Sequence, residues 1–187
     1  MRLPGDLFSF LGLAPRFALE PSELDRRQRE LYVERQAEGS RAIEKVNEAV
    51  RSLKDPAIRA EQLFKLRGWP TRGPADPILL ERIYTDREFI DQARKKGDQA
   101  GLLAWMDAAL PRQRNLLDLL TLLLDGPAAT IYPTDSAARR PSDALGELSD
   151  AGRALLLLEE LRYFSRAVDA ARAAIDALED AKPETFA

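Results

Sequence analysis

Residues 40–56, SRAIEKVNEAVRSLKDP, decide how this chain folds. Ile43, Val46, Val50 and Leu53 recur at spacings of three, four and three, which lays one apolar stripe along an α-helix. Lys54-Asp55-Pro56 ends the pattern, because proline disfavours helix at the residue before it and suits the first turn of the next. Working outward, Pro21-Ser22-Glu23-Leu24-Asp25 predicts a helix start with Ser22 as cap, running to about Ala37 and closing on Gly39. Two helices joined by so tight a turn pack antiparallel. Ahead of the pair, Leu7-Phe8-Ser9-Phe10-Leu11-Gly12-Leu13 predicts one or two helical turns ended by Gly12 and Pro15. Behind it, residues 57–66 predict a fourth helix with Ala60, Leu63 and Phe64 inward and Gly68 beyond its end. Alternating β-branched runs are missing, so the fold class is all-α.

Residues 69–77, WPTRGPADP, are broken by proline and glycine, and the domain boundary falls there. The expected division is residues 1–68, a linker at 69–75, and a second domain at 76–187. Asp76 and Pro77 open a helix carrying Leu79, Leu80, Ile83, Phe89 and Ile90, which ends at Gly97. Asp98 caps the next, from Gln99 to about Leu124, with Trp105, Met106, Leu116 and Leu120 on it and a kink expected at Pro111. Residues 125–142, DGPAATIYPTDSAARRPS, have no period and predict a long loop. A last helix from about Asp143 to Asp180 carries Leu145, Leu148, Leu155, Leu158, Leu161, Val168 and Ile175, completing a three-helix bundle.

Composition removes several function classes. The chain of 187 residues is 45% apolar, enough for a real core, and it contains neither Cys nor His. Disulfides, thiolate chemistry, a Ser-His-Asp arrangement and a zinc site are therefore excluded. Net charge is −3, with residues 1–68 at +2 (13 basic against 11 acidic) and residues 69–187 at −5 (15 against 20). Neither part has the dense basic patch that nucleic acid requires. The opening apolar run is short and interrupted by Asp6, and the run from Leu116 to Leu124 is about half of the roughly 20 residues that span a bilayer. A cytoplasmic protein without a membrane partner is expected. Acidic neighbours such as Glu159-Glu160, or Asp86 with Glu88, point apart on a helix, and there is no phosphate loop or metal-ligand spacing. An enzyme is not expected, and neither is a cofactor.

Specific strings point further. Leu7 to Leu13 looks like the opening of J-domains, and Arg16-Phe17-Ala18-Leu19 with Leu24 is similar to the HscB subgroup. The segment from Val46 through Asp55-Pro56 resembles the end of the third J-domain helix, and Arg59-Ala60-Glu61-Gln62-Leu63 with Leu66 and Gly68 resembles the HscB fourth helix. In the second half, Leu79-Leu80-Glu81 followed by Arg87-Glu88 looks like the start of the HscB scaffold-binding domain, and Glu160-Leu161-Arg162-Tyr163-Phe164 its last helix. The resemblance covers nearly the whole chain apart from residues 125–142. It implies a J-domain-like helical hairpin joined to a three-helix bundle, and a co-chaperone linking an iron–sulfur scaffold protein to a heat-shock chaperone ATPase.

The family's working tripeptide, His-Pro-Asp, would follow Tyr32. Here Val33-Glu34-Arg35-Gln36-Ala37-Glu38-Gly39 stands in its place, and the loop is shortened. Since that motif couples docking to ATP hydrolysis, its loss implies loss of that coupling, and a J-like adaptor without chaperone stimulation is the alternative. Arg26, Arg27 and Arg29 stand where the family docks its chaperone, or form a solvated face, since Glu30, Glu34 and Glu38 are mixed among them. For scaffold binding the resemblance implies Leu79, Leu80, Ile83 and Tyr163, with Asp91 as the retained acid; Tyr84 and Arg87 occupy the family's other acidic positions. At helical spacing those apolar residues are equally readable as bundle core. Asn47 is expected to bond locally, and Trp69 and Trp105 to be core or interface. A monomer or weak homo-oligomer is expected.

Overall fold

Aspartates and glycines set the helix boundaries. The computed structural model describes residues 5–73, 76–126 and 149–180. Helix α1, Leu7–Leu11, is capped by the Asp6 carboxylate, which accepts from the amides of Phe8 and Ser9, and it ends on Gly12 at φ 66°. Helix α2, Pro21–Arg35, starts on Pro21 with Glu20 before it. Ser22 therefore lies inside the first turn and is not the cap; the proline, whose missing N–H costs nothing at that position, sets the start. A 3₁₀ turn, Gln36–Glu38, and Gly39 at φ 89° close the connection to α3, Ser40–Lys54. Asp55 accepts from Ala57 and Ile58 to cap α4, Pro56–Leu66.

Downstream, Asp76 caps α5, Pro77–Lys96, and Gly97 ends it at φ 70°. Asp98 accepts from the Gly101 amide at the head of α6, Gln99–Asp125, which runs unbroken through Pro111. The last helix, α7, Asp150–Asp180, begins later than the expected Asp143, and the Ser149 hydroxyl accepts from the Gly152 amide in a capping arrangement. The expected loop at 125–142 and the positions of Leu145 and Leu148 lie largely outside the described residues. No strand occurs among the described residues, and the all-α expectation holds.

Two compact units form: Met1–Thr71 with Leu119–Leu155, and Arg72–Asp118 with Leu156–Ala187. In the first, α2 and α3 run antiparallel, as Lys54 Nζ lies 2.7 Å from Asp25 while Gln28, near mid-helix, donates to Asn47 at 2.7 Å. Tyr32 also bonds Asn47, so this asparagine ties two helices together and is not satisfied locally as expected. Phe8, Leu24, Leu31, Val46, Val50, Leu53 and Phe64 are buried, and Trp69 stacks edge-on to Phe64 with ring centroids 5.5 Å apart. The second unit buries Ile90, Ala93, Leu102, Leu116, Phe164, Val168, Ala171 and Ile175 between its three helices. Pairs at Gln99–Glu179 and Gln113–Ser165 set α6 antiparallel to α7, whereas Arg82–Glu160 and Asp86–Tyr163 set α5 parallel to it.

Candidate functional site

The candidate scaffold-binding residues divide between the inside and the outside of α5. Leu79 and Ile83 are half-buried and pack on the bundle core, and Tyr163 of α7 is 9% exposed within it. Leu80, at 40% exposure, and Asp91 face solvent. The structure thus brings Leu79, Ile83 and Tyr163 together with the core and leaves Leu80 and Asp91 on the surface.

Tyr163 is held by Asp86. Its hydroxyl donates to one carboxylate oxygen of Asp86, and Trp105 Nε1 donates to the other at 3.1 Å. Burial first, and then the hydrogen bond and the charge of Asp86, hold the Tyr163 hydroxyl well above its ordinary pKa. Nearby, Glu160 accepts from Arg82 at 2.8 Å and from Arg112 at 2.9 Å, so a carboxylate joins all three helices. Sequence reasoning weighed Asp86 only as a partner of Glu88 and missed this role. The signal was present: Leu79, Ile83, Asp86, Ile90 and Ala93 follow one another at four, three, four and three, so an acid occupies the inward stripe.

The three candidate arginines of α2 do not converge. Arg26 is exposed, with Glu30 at 3.8 Å, and Arg29 is exposed. Arg27 is half-buried: its Nε donates to the Leu11 carbonyl at 2.7 Å, and its guanidinium meets Glu30 at 3.0 Å and Glu34 at 3.1 Å. The hydrogen bond that it donates to Glu30 raises its pKa above the ordinary arginine value. Arg27 therefore fastens α1 to α2. Beyond these arginines Val33 is 79% exposed, one turn before the tight 3₁₀ connection Gln36–Glu38.

No family model matches the chain. The co-chaperone protein HscB homolog of Bordetella petrii is 33% identical over 137 residues, covering 64% of this chain and 79% of that protein. The chain belongs to the HscB co-chaperone family. The HscB homologs of Bordetella pertussis, 33% identical over 132 residues (62% of this chain, 78% of the relative), and of Chromobacterium violaceum, 34% over 111 residues (50% and 62%), agree. The chaperone HscB from Vibrio cholerae superimposes with a TM-score of 0.65 over 92% of this chain and 99% of that one, and at 22% identity this speaks to the shared all-α fold. In this chain α2 and α3 form a helical hairpin closed by the 3₁₀ turn Gln36–Glu38 and Gly39. Among the described residues no cluster of acidic side chains is arranged to hold a metal ion, and no helix is long and apolar enough to cross a membrane.

Proposed function

We propose that this HscB-family chain is a cytoplasmic co-chaperone that binds an iron–sulfur scaffold protein through residues 76–187 and presents it to a heat-shock chaperone ATPase through residues 1–68. The observation that carries the reading is the kinship with HscB co-chaperones together with the hairpin and bundle of that fold. The chain works by binding and not by catalysis of its own. Its departure from the family is local: Gln36–Glu38 and Gly39 close the α2–α3 connection, so hydrolysis is not stimulated through a His-Pro-Asp loop. That same turn supports a second reading, an adaptor that retains the fold and partner binding without any effect on the ATPase.

Single-turnover ATP hydrolysis by the heat-shock chaperone of the same genome, with and without this chain and the scaffold protein, separates the two. Stimulation shows that another surface has replaced the tripeptide. An unchanged rate, with folded protein and a working J-protein as positive control, leaves the adaptor.

A further inference from the structure

The outer face of α6 carries a pattern that the bundle does not use. Arg112 pairs with Glu160 at 2.9 Å and Gln113 donates to Ser165 at 3.1 Å, so these two turn toward α7. Leu103, Asp107, Leu110 and Arg114 instead follow one another at four, three and four residues, within about 60° of arc at roughly 100° per residue. All four are exposed, Leu103 at 47% and Leu110 at 38%. Exposed Ala104 and Ala108 flank the stripe and leave room for another helix to come close.

Two charges and a proline decide what fits there. Asp107 and Arg114 make no ion pair among the described residues, and both stand mid-helix, away from the dipole ends that would favour either charge. Arg114 is two turns from Asp107, about 10.5 Å along the axis, and does not meet it. Pro111, exposed between them, has no amide to give the Asp107 carbonyl one turn back. Asp107 therefore presents a carboxylate and a carbonyl without its regular helix donor, an acceptor pair suited to the several N–H groups of a guanidinium.

We propose that this face is a self-complementary contact between two copies of the chain, with α6 antiparallel to α6 about a two-fold axis beside Leu110 and Pro111. Asp107 and Arg114 are equidistant along the chain from the Leu110–Pro111 bond, so such an axis sets each Asp107 against Arg114 of the other copy. Leu110 and Pro111 of both copies close the centre, and Leu103 lies toward either end. With one acid and one unpaired base, the stripe offers a strongly charged partner no net attraction, whereas a second copy satisfies both charges at once. A contact one helix wide falls short of the about 1,200–2,000 Å² of stable interfaces, so the dimer is weak, with a Kd on the order of 100 μM. It uses no residue of the scaffold-binding reading and stands apart from it.

Sedimentation equilibrium of the full chain, from about 10 μM to about 1 mM, tests it through a mass that rises toward that of a dimer. Asp107→Arg and Arg114→Asp each weaken dimerisation by about tenfold or more, and the two together restore it to within about threefold of the parent. Leu110→Ser weakens it by a similar factor, and raising salt from about 0.1 M to about 1 M weakens the parent but not the single charge variants. Circular dichroism confirms that these surface variants fold. A monomer at every concentration overturns the inference, as does a dimer indifferent to the charge variants, which would use another face. Failure of the double exchange to restore what each single exchange removes also overturns it, because reciprocal pairs are then absent. If the parent stays monomeric and Leu110→Ser instead weakens its titration with the apo scaffold protein, the face belongs to that partner and the second copy is excluded.

Discussion

Single side chains in this molecule do their work across helices. Asn47 accepts from Gln28 and Tyr32 of α2, so Asn47→Ala leaves two half-buried donors without their partner and lowers the unfolding free energy by about 1–2 kcal/mol in urea titrations. An unchanged midpoint would mean that solvent replaces the asparagine without loss. Tyr163 carries a pH signature as well. Its folded-state pKa is raised, so its contribution is fully present below the unfolded tyrosine value near about 10 and fades as pH rises beyond that point. The unfolded chain releases this proton first, which favours unfolding. Tyr163→Phe costs on the order of 1 kcal/mol at neutral pH, and the variant then loses less stability than the parent on going from about pH 9 to about pH 11. Parallel slopes over that interval would exclude the tyrosine as the titrating group. Neither role was legible in the sequence, because an asparagine beside an apolar stripe and an aspartate within one name no partner; partners come from helix packing.

Helix elements were the most legible level, since period and punctuation are local properties. The stripe Ile43, Val46, Val50, Leu53 and the stop at Asp55-Pro56 became α3 and α4 as expected, and Gly12, Gly39 and Gly97 all adopt positive φ at helix ends. What local pattern does not contain is the target of a helix end. Asp125, the last residue of α6, accepts from the amides of Phe17 at 2.8 Å and Ala18 at 2.6 Å, holding the segment that joins α1 to α2. It also offsets the charges of Arg59 and Arg67, whose pKa values burial lowers. Arg67 in turn donates to the carbonyl of Leu124. Asp125→Ala removes a charged acceptor from two amides, at a cost of about 2 kcal/mol. Hydrogen exchange should show faster exchange at Phe17 and Ala18 while amides in the middle of α3 keep their protection relative to the global stability. Equal slowing at Phe17 and Ala18 in both proteins would show that Asp125 holds nothing there.

At the scale of the whole molecule, kinship was legible because helix order and short strings survive sequence drift, whereas unit membership of long helices was not. Period marks α6 as one helix from Gln99 to Asp125, yet its residues from Leu119 onward pack in the first unit, as do the α7 residues up to Leu155. The chain therefore passes between units at the proline-rich stretch and again within two continuous helices. Leu120, Leu124 and Ala154 are essentially fully buried there, and exposing each leucine costs about 1.5–3 kcal/mol. A fragment comprising residues 72–187 accordingly keeps a bundle around Leu102, Leu116, Phe164 and Ala171, while its α6 end and α7 start lose the side chains that cover them. In that fragment, amides of residues 119–125 and 150–155 should exchange at nearly unprotected rates, with those of residues 102–116 still protected. Full protection at 119–125 would mean that the bundle alone sustains the helix end, and that the first unit takes advantage of a surface it does not maintain.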